Sequence, residues 1–62
     1  MTFREMQKII EKDGWKLVRI EGSHHHYRHK TKKGLVTIPK HGNKDLSKRD
    51  IQSIYRQAQI KK

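Results

Sequence analysis

Histidines are the residues of this 62-residue chain with the widest scope for chemistry, and most of them stand close together. There are five in all: His24, His25, His26, His29 and His41. Because an imidazole titrates at about pH 6.5, a single one can take up and release a proton near neutral pH. Basic side chains flank the cluster: Arg19, Arg28, Lys30, Lys32, Lys33 and Lys40. Cleavage of RNA needs both kinds of group, since a base takes the proton of the ribose 2′-hydroxyl and cations stabilise the charge that develops around phosphorus.

Three interpretations of the histidine cluster compete. The histidines can be exposed strand residues that only add positive charge at low pH, they can bind a metal in pairs, or one of them can act as acid and base. In a strand, His25 shares a face with Tyr27 and His29, while His24 and His26 share the other face. A metal site lacks support, because the chain has no cysteine and no group of acidic residues beside the cluster. We favour acid–base chemistry by one histidine and expect no metal.

The charge balance indicates a polyanionic partner. Sixteen lysines and arginines against six acidic residues leave a formal net charge of +10. A small domain needs a net charge of only about 2 to 8 to stay soluble. Nucleic acid, anionic lipid and acidic protein are the partners that exploit such a charge, because they release counterions or gain Coulomb energy on binding.

Composition argues against several classes of protein. With 31% hydrophobic residues, we expect one domain over residues 1–62 that needs nearly all its apolar side chains for the core, and therefore no small-molecule ligand and no cofactor. The absence of cysteine excludes a disulfide framework and thiol chemistry. No apolar run approaches the roughly 18 residues of a membrane helix, and the start of the chain does not resemble a signal peptide, so we expect no membrane contact and a cytoplasmic location. No Ser–His–Asp set or pair of carboxylates is discernible, which argues against hydrolysis of peptides or glycosides.

Capping patterns and apolar periodicity predict two helices. Two pairs of residues have the spacing of a helix cap: Thr2 with Glu5, and Ser47 with Asp50. Apolar residues recur at spacings of three and four after each cap: Phe3, Met6, Ile9 and Ile10 in the first case, and Ile51, Ile54, Tyr55 and Ala58 in the second. The sequence therefore predicts helices over residues 3–12 and 48–59, the first ended by Asp13-Gly14 and the second preceded by Leu46, which can pack on Ile51.

Three strands are expected between the helices, over residues 15–21, 24–30 and 35–38. Gly22-Ser23 separates the first two, and Pro39 closes the third because proline has no N–H to donate. The fold class is thus α+β: an α-β-β-β-α sandwich in which both helices cover one face of a three-stranded antiparallel sheet. Strand alternation leaves the faces of the first strand open, with Trp15, Leu17 and Arg19 on one side and Lys16, Val18 and Ile20 on the other.

Short patterns follow one another along the chain: Gly14-Trp15, Arg19, Gly22-Ser23-His24-His25, Ile38-Pro39-Lys40-His41 and the helix end Ile54-Tyr55-Arg56-Gln57-Ala58-Gln59-Ile60. In this combination the chain resembles the HicA toxin family, whose pattern is Gly-Trp, Arg, Gly-Ser-x-His, Val/Ile-Pro-x-His and an Ile-x-x-Gln-Ala-Gly-Leu-like end. The resemblance covers essentially the whole chain. It departs from the family at Gln59, where Gly is usual, and at His26, which extends a pair of histidines to three.

The resemblance implies a fold like that of double-stranded-RNA-binding domains, cleavage of mRNA without the ribosome, and neutralisation by a HicB-type antitoxin. The family's catalytic histidine stands in Gly-Ser-x-His and corresponds to His25. Gly22 and Ser23 then turn the chain into the strand of His25, and His41 corresponds to a second recurring histidine whose role stays open. The residues expected to bind RNA around His25 are Arg19, Ser23, His24, Arg28, Lys30, Lys32, Lys33, Lys40 and His41.

Two other functions fit the same sequence. A non-catalytic RNA-binding module would use the same fold and charge to contact phosphates and 2′-hydroxyls, and an RNA cleavage assay separates it from a nuclease. A DNA- or protein-binding partner without RNA activity has no distinctive residues in its favour. The aromatic content of 6% argues against a single-strand binder that stacks bases on aromatic rings.

Overall fold

The computed structural model describes residues 1–40, 42 and 44–61 of the chain. Two helices and three strands follow one another within them: α1 (Phe3–Lys12), β1 (Lys16–Glu21), β2 (His24–Arg28), β3 (Val36–Pro39) and α2 (Lys48–Ala58). The strands form one antiparallel sheet in the order β1-β2-β3. The predicted α-β-β-β-α architecture is therefore confirmed. In the described part of the chain, neither helix has the length and apolar character needed to cross a membrane.

Local hydrogen bonds fix the start of α1. The hydroxyl of Thr2 accepts the N–H of Glu5 at 3.2 Å, and the carboxylate of Glu5 accepts the N–H of Thr2 at 2.8 Å, which completes the predicted capping box. The hydrogen bond from the Thr2 N–H holds the pKa of the Glu5 carboxyl below its ordinary value. The helix ends where predicted, at Lys12, and Gly14 then turns the chain with a φ of +110°.

The second helix begins with a similar cap. The hydroxyl of Ser47 accepts the N–H of Asp50 at 3.1 Å. Leu46 is buried in the core and Ile51 packs against that core, as expected for residues on either side of the cap. The helix ends at Ala58, one residue earlier than predicted, because Gln59 adopts a left-handed conformation.

The strands differ from their predicted limits by one or two residues. The first begins one residue later, because Trp15 turns into the core, where it is 1% exposed. The second ends two residues earlier, because the ring of His29 turns back and bonds the carbonyl oxygen of Asp13 at 2.7 Å. The third lies one residue further along, and Pro39 ends it as predicted.

A β-bulge at Val18 decides the faces of β1. Residues pair across β1 and β2 as follows: Leu17 with Tyr27, Arg19 with His26, and Ile20 with His25. Because Val18 is the extra residue between Leu17 and Arg19, Leu17 and Ile20 lie on one face and Arg19 on the other. Neither of the two groupings expected from simple alternation holds.

One core is shared by both helices and one face of the sheet. Its buried residues are Met6, Ile10, Trp15, Tyr27, Val36, Ile38, Leu46, Ile54 and Ala58. The hydroxyl of Tyr27 accepts the side-chain amide N–H of Gln7 at 3.0 Å, and burial raises the pKa of Tyr27. We call the side of the sheet that packs on α1 and α2 the helix face. The opposite side carries no helix in the described part of the chain, and we call it the open face.

Candidate functional site

His25 lies on the helix face, on the central strand of the sheet. It stands opposite Ile20 of β1 and Ile38 of β3. Its ring meets the ring of Phe3 edge-on, with the two centroids 4.8 Å apart. The side chain is half-buried, so it is less exposed than a surface strand residue but still open to solvent on one side.

The two ring nitrogens of His25 have different surroundings. Nδ1 is buried and has no hydrogen-bond partner among the described residues. Nε2 has no partner among those residues either, but it is not buried, so solvent or a ligand can reach it. In a Ser–His–Asp triad a carboxylate on Nδ1 holds the imidazole in place. Here no described carboxylate bonds Nδ1, and the ring of His25 is held by its edge-on contact with Phe3.

A basic cleft lies beside His25. Its volume is about 420 Å³, and its lining residues are Thr2, Phe3, Arg4, Gln7, Lys40, Gly42 and Lys44. We call it the Phe3 cleft, because Phe3 contributes to its lining and also touches His25. The ammonium group of Lys40 lies 5.5 Å from the centroid of the Phe3 ring, a cation–π distance. Cationic groups and an accessible imidazole nitrogen are thus separated by a single aromatic ring.

His26 takes part in a different set of contacts, on the open face. Its Nε2 lies 2.8 Å from Oε1 of Glu21, and its Nδ1 lies 2.9 Å from the hydroxyl of Thr37. Because a carboxylate only accepts hydrogen bonds, Nε2 carries a proton. Arg19 also donates to Glu21, at 3.1 Å. With both nitrogens occupied, His26 holds β1, β2 and β3 together on this face and is not free for proton transfer.

His24 also lies on the open face, with its ring centroid 6.5 Å from that of His26. The predicted separation of His25 from His24 and His26 is confirmed by the strand register. A shallow depression of about 220 Å³ on this face is lined by Val18, Arg19, His26, Arg28 and Leu35. Over residues 1–40, 42 and 44–61, no group of three or more histidine, aspartate or glutamate side chains could hold a metal ion.

His29 has a structural role. Its Nε2 donates to the carbonyl oxygen of Asp13, while its Nδ1 accepts the N–H groups of Thr31 and Lys32, each at 3.1 Å. Its ring also packs edge-on against Trp15, with centroids 5.2 Å apart. Both nitrogens are therefore used to hold the start of the β2–β3 loop against the end of α1.

Lys32 joins three parts of the chain. Its ammonium group donates to the carboxylate of Asp13 at 2.6 Å and to the carbonyl oxygens of Ala58 and Gln59 at 3.1 Å each. The hydrogen bond from Lys32 holds the pKa of the Asp13 carboxyl below its ordinary value. Lys32 thereby satisfies carbonyls at the end of α2, where a positive charge is favourable.

The residues predicted to bind RNA fall in separate places. On the open face lie Arg19, His24 and Arg28. In the loop between β2 and β3 lie Lys30, Lys32 and Lys33. Ser23 and Lys40 are joined by a hydrogen bond of 2.7 Å from the Lys40 N–H to the Ser23 carbonyl, and Lys40 lines the Phe3 cleft. His41 lies outside the described residues. Of this set, Lys40 contacts the ring of Phe3, which also meets the ring of His25.

Three residues of the site were not identified from the sequence: Phe3, Arg4 and Lys44. The periodicity of α1 explained Phe3 as a core residue and Arg4 as a residue of the solvated helix face. Lys44 stood in a polar loop without a motif. The contact of Phe3 with His25, and the place of Arg4 and Lys44 in the cleft, depend on tertiary packing, which no local pattern reveals.

Fold and site together define a small, strongly basic α+β domain with an accessible histidine beside a cationic cleft. The family model described as HicA toxin of bacterial toxin–antitoxin matches residues 3–60. The chain therefore belongs to the HicA toxin family. A comparison with curated proteins found no match.

Proposed function

We propose that this toxin is an endoribonuclease that cleaves mRNA without the ribosome, in the cytoplasm, and that His25 is its acid and base. The observation that carries the proposal is the accessible Nε2 of His25 next to the cations of the Phe3 cleft. Among the described histidines, His26 and His29 have both nitrogens in hydrogen bonds. His24 lies on the open face, on the other side of the sheet from the Phe3 cleft, and its ring lies near that of His26. The position of His25 near the Phe3 cleft, and not the number of histidines in the chain, therefore distinguishes it.

The reaction uses one proton acceptor and a source of positive charge. Nε2 of His25 takes the proton of a ribose 2′-hydroxyl, the 2′ oxygen bonds to the adjacent phosphorus, and the bond from phosphorus to the 5′ oxygen breaks. The protonated His25 gives this proton to the 5′ oxygen as it leaves, so a 5′-hydroxyl and a 2′,3′-cyclic phosphate are formed and His25 is neutral again. The ammonium group of Lys40 lies 5.5 Å from the centroid of the Phe3 ring, which meets His25 edge-on, and it supplies the positive charge for the phosphate oxygens.

Membership of a toxin–antitoxin family implies a neutralising partner. We propose that this partner is an acidic protein of the HicB type. A net charge of +10 favours rapid association with a partner that presents carboxylates. Arg28 of the open face and His25 of the helix face lie on opposite sides of the sheet, so a partner that blocks His25 has to reach the helix face.

The proposal is tested by comparing His25→Ala with His24→Ala in an RNA cleavage assay. Loss of a general acid–base is expected to lower the rate by roughly 10²–10⁴. His24→Ala is the matched control, because it removes an imidazole from the next residue but on the other face, and it is expected to keep most of the activity. RNA binding should survive in both variants, since one imidazole contributes little beside sixteen lysines and arginines.

Two further variants separate a loss of catalysis from a loss of folding. Because the His25 ring packs against Phe3, thermal melts accompany the assay, and His25→Gln keeps a side chain of similar length against that ring. His26→Ala breaks the contacts to Glu21 and Thr37, so it is expected to lower stability more than activity. Full activity in folded His25→Ala or His25→Gln would refute the assignment. RNA binding without any cleavage by the unaltered protein would leave the non-catalytic RNA-binding module as the function.

A further inference from the structure

We propose that the Phe3 cleft is a phosphate subsite that holds the RNA backbone next to the bond that is cleaved, with Arg4 and Lys40 as its main contacts. The inference rests on the proposed function for the identity of the ligand. It adds residues that neither the sequence motifs nor the family assign to RNA, above all Arg4 of α1 and Lys44 of the loop before α2.

The charges of the cleft have no acidic partner among the described residues. Arg4, Lys40 and Lys44 line it, and none of the three forms an ion pair with a described residue. The acidic groups nearest in sequence are already engaged, since Glu5 belongs to the capping box and Asp45 lies 3.9 Å from the amino terminus. Three uncompensated cations around one concavity favour an anion with several oxygens.

The backbone positions of two of these residues, Arg4 and Lys40, are fixed by hydrogen bonds. Arg4 stands in the first turn of α1, whose start is fixed by the capping box. The N–H of Lys40 donates to the carbonyl oxygen of Ser23 at 2.7 Å, which continues the pairing of β2 and β3 by one residue. Arg4 therefore belongs to a helix and Lys40 directly follows a strand, and rigid elements hold a ligand more precisely than loops do.

The position of Phe3 links the cleft to His25. The centroid of its ring lies 4.8 Å from that of His25 and 5.5 Å from the ammonium group of Lys40. A phosphate in the cleft and a ribose at Nε2 of His25 would then be neighbours along one strand. The cleft volume of about 420 Å³ is within the range of small-ligand pockets, but its cationic lining favours a phosphodiester over an apolar molecule.

The test measures binding of a short single-stranded RNA with 2′-O-methyl riboses, which cannot be cleaved through the 2′ oxygen. Arg4→Gln and Lys40→Gln are compared with Arg56→Gln, which removes one positive charge from the last turn of α2. Arg56 makes a suitable control because the end of α2 lies next to Lys33, whereas residues just before α2 contact Met1. The control charge is thus at the far end of the molecule from the cleft.

Each cleft variant is expected to lose one phosphate contact. A plot of the logarithm of the RNA association constant against the logarithm of the salt concentration should have a slope shallower by about 0.7. The affinity for RNA at 0.1 M salt should fall about fivefold. Arg56→Gln should leave the slope unchanged. Thermal melts should show no loss for Arg4→Gln, because a positive charge in the first turn of a helix is unfavourable. On unmodified RNA, Arg4→Gln should raise KM more than it lowers kcat, whereas Lys40→Gln should lower kcat as well, because Lys40 is proposed to stabilise charge on the reacting phosphate.

The outcomes separate this inference from the nuclease proposal. Equal slopes for Arg4→Gln, Lys40→Gln and Arg56→Gln, in a protein that cleaves RNA, would overturn the phosphate subsite and leave the nuclease intact. Shallower slopes for the cleft variants, in a protein that does not cleave unmodified RNA, would support the subsite and refute the nuclease. Absence of RNA binding by the unaltered protein would refute both.

Discussion

Gly14 shows how one residue without a side chain determines the position of another. It has a φ of +110°, and a Cβ atom built on it would lie 2.6 Å from Nε2 of His29. That nitrogen donates to the carbonyl oxygen of Asp13, and the His29 ring packs on Trp15. The Gly-Trp pair that the resemblance singled out is thus explained by packing: the glycine admits the imidazole and the tryptophan enters the core.

Gly14→Ala is expected to be one of the most destabilising single changes in this chain. An L-residue at this φ costs about 1–2 kcal/mol, and displacing His29 from Asp13 costs about 1 kcal/mol more. Gly34→Ala is the matched control, because Gly34 has a φ of +94° but nothing lies within 4 Å of its Cβ position. Urea unfolding should show a larger decrease in the free energy of unfolding for Gly14→Ala than for Gly34→Ala. Equal losses would mean that His29 moves aside without cost.

Predictions about single side chains were correct where they depended only on the geometry of one strand. The alternation of side chains placed His25 opposite to His24 and His26, and the register confirms it. The half-buried state of His25 was not foreseen, because it results from contact with Phe3 on α1. The catalytic role of His25 and the RNA contacts stay predictions, since they concern a ligand and not the fold.

Element boundaries were predictable where local hydrogen bonds define them. Both helices begin where a hydroxyl accepts an N–H three residues further on, and α1 runs over the predicted residues. Strand ends were less predictable, because contacts distant in sequence set them. The ring of His29 ends β2, and the bulge at Val18 reorients β1. Neither feature has a signature in the sequence of the strand itself.

The two edge strands of the sheet differ in how far other parts of the chain cover them. At β3, the N–H of Thr37 donates to the side-chain oxygen of Gln57 at 2.9 Å, so α2 covers that edge. At β1, every residue is exposed, and Leu17, Val18 and Ile20 are 41%, 54% and 54% exposed. Gln57 belongs to the helix-end pattern Gln-Ala, whose alanine is buried. The Gln-Ala pattern is therefore explained by the packing of α2 against the sheet and gives no evidence of a catalytic role.

The end of α2 carries a strained residue at the position where the family usually has glycine. Gln59 has a φ of 57° and a ψ of 40°. Its side-chain amide donates to the carbonyl oxygen of Lys33 at 3.0 Å. Gln59→Gly should relieve about 1 kcal/mol of left-handed strain and lose an exposed hydrogen bond worth about 0.5 kcal/mol, for a net gain of about 0.5 kcal/mol.

Gln59→Ala provides the control for this prediction. It keeps the strain and loses the hydrogen bond, so it should be about 0.5 kcal/mol less stable than the unaltered protein. In denaturant unfolding, the free energy of unfolding should therefore be highest for Gln59→Gly, intermediate for the unaltered protein and lowest for Gln59→Ala. A Gln59→Gly variant as unstable as Gln59→Ala would show that the bond to Lys33 outweighs the backbone strain.

At the scale of the whole molecule, positive charge is distributed over both faces of a thin domain. Arg19 and Arg28 line the open face, while Arg4 and Lys40 line the cleft on the other side of the sheet. A single RNA strand at His25 cannot contact both sets without passing round an edge of the sheet. We therefore expect about 4 to 6 phosphates to be engaged, and a slope of log K against log salt of about −3 to −5.

The same charge should make salt act in opposite directions on RNA binding and on folding. Among the described lysines and arginines, Arg19 and Lys32 form ion pairs with acidic side chains, so repulsion among the other basic groups opposes the compact state. Raising the salt from about 0.02 to 0.5 M screens that repulsion, because the Debye length then falls below the distances between surface charges. A gain of about 1 kcal/mol would raise the Tm by roughly 4–8 °C in a domain of this size.

Thermal melts in a salt series test this, with sodium chloride and sodium sulfate at equal ionic strength to separate screening from binding of a particular anion. Lys48→Gln with Arg49→Gln is the matched variant, because it lowers the net charge of +10 by two at the start of α2. This variant should be more stable at low salt, and its Tm should rise less with salt. A Tm that stays flat or falls would mean that the ion pairs Arg19–Glu21 and Lys32–Asp13, which salt weakens, contribute more than the repulsion among the unpaired charges. In that case the excess of positive charge would carry no cost in folding, and the argument that it is kept for a polyanionic partner would lose its thermodynamic support.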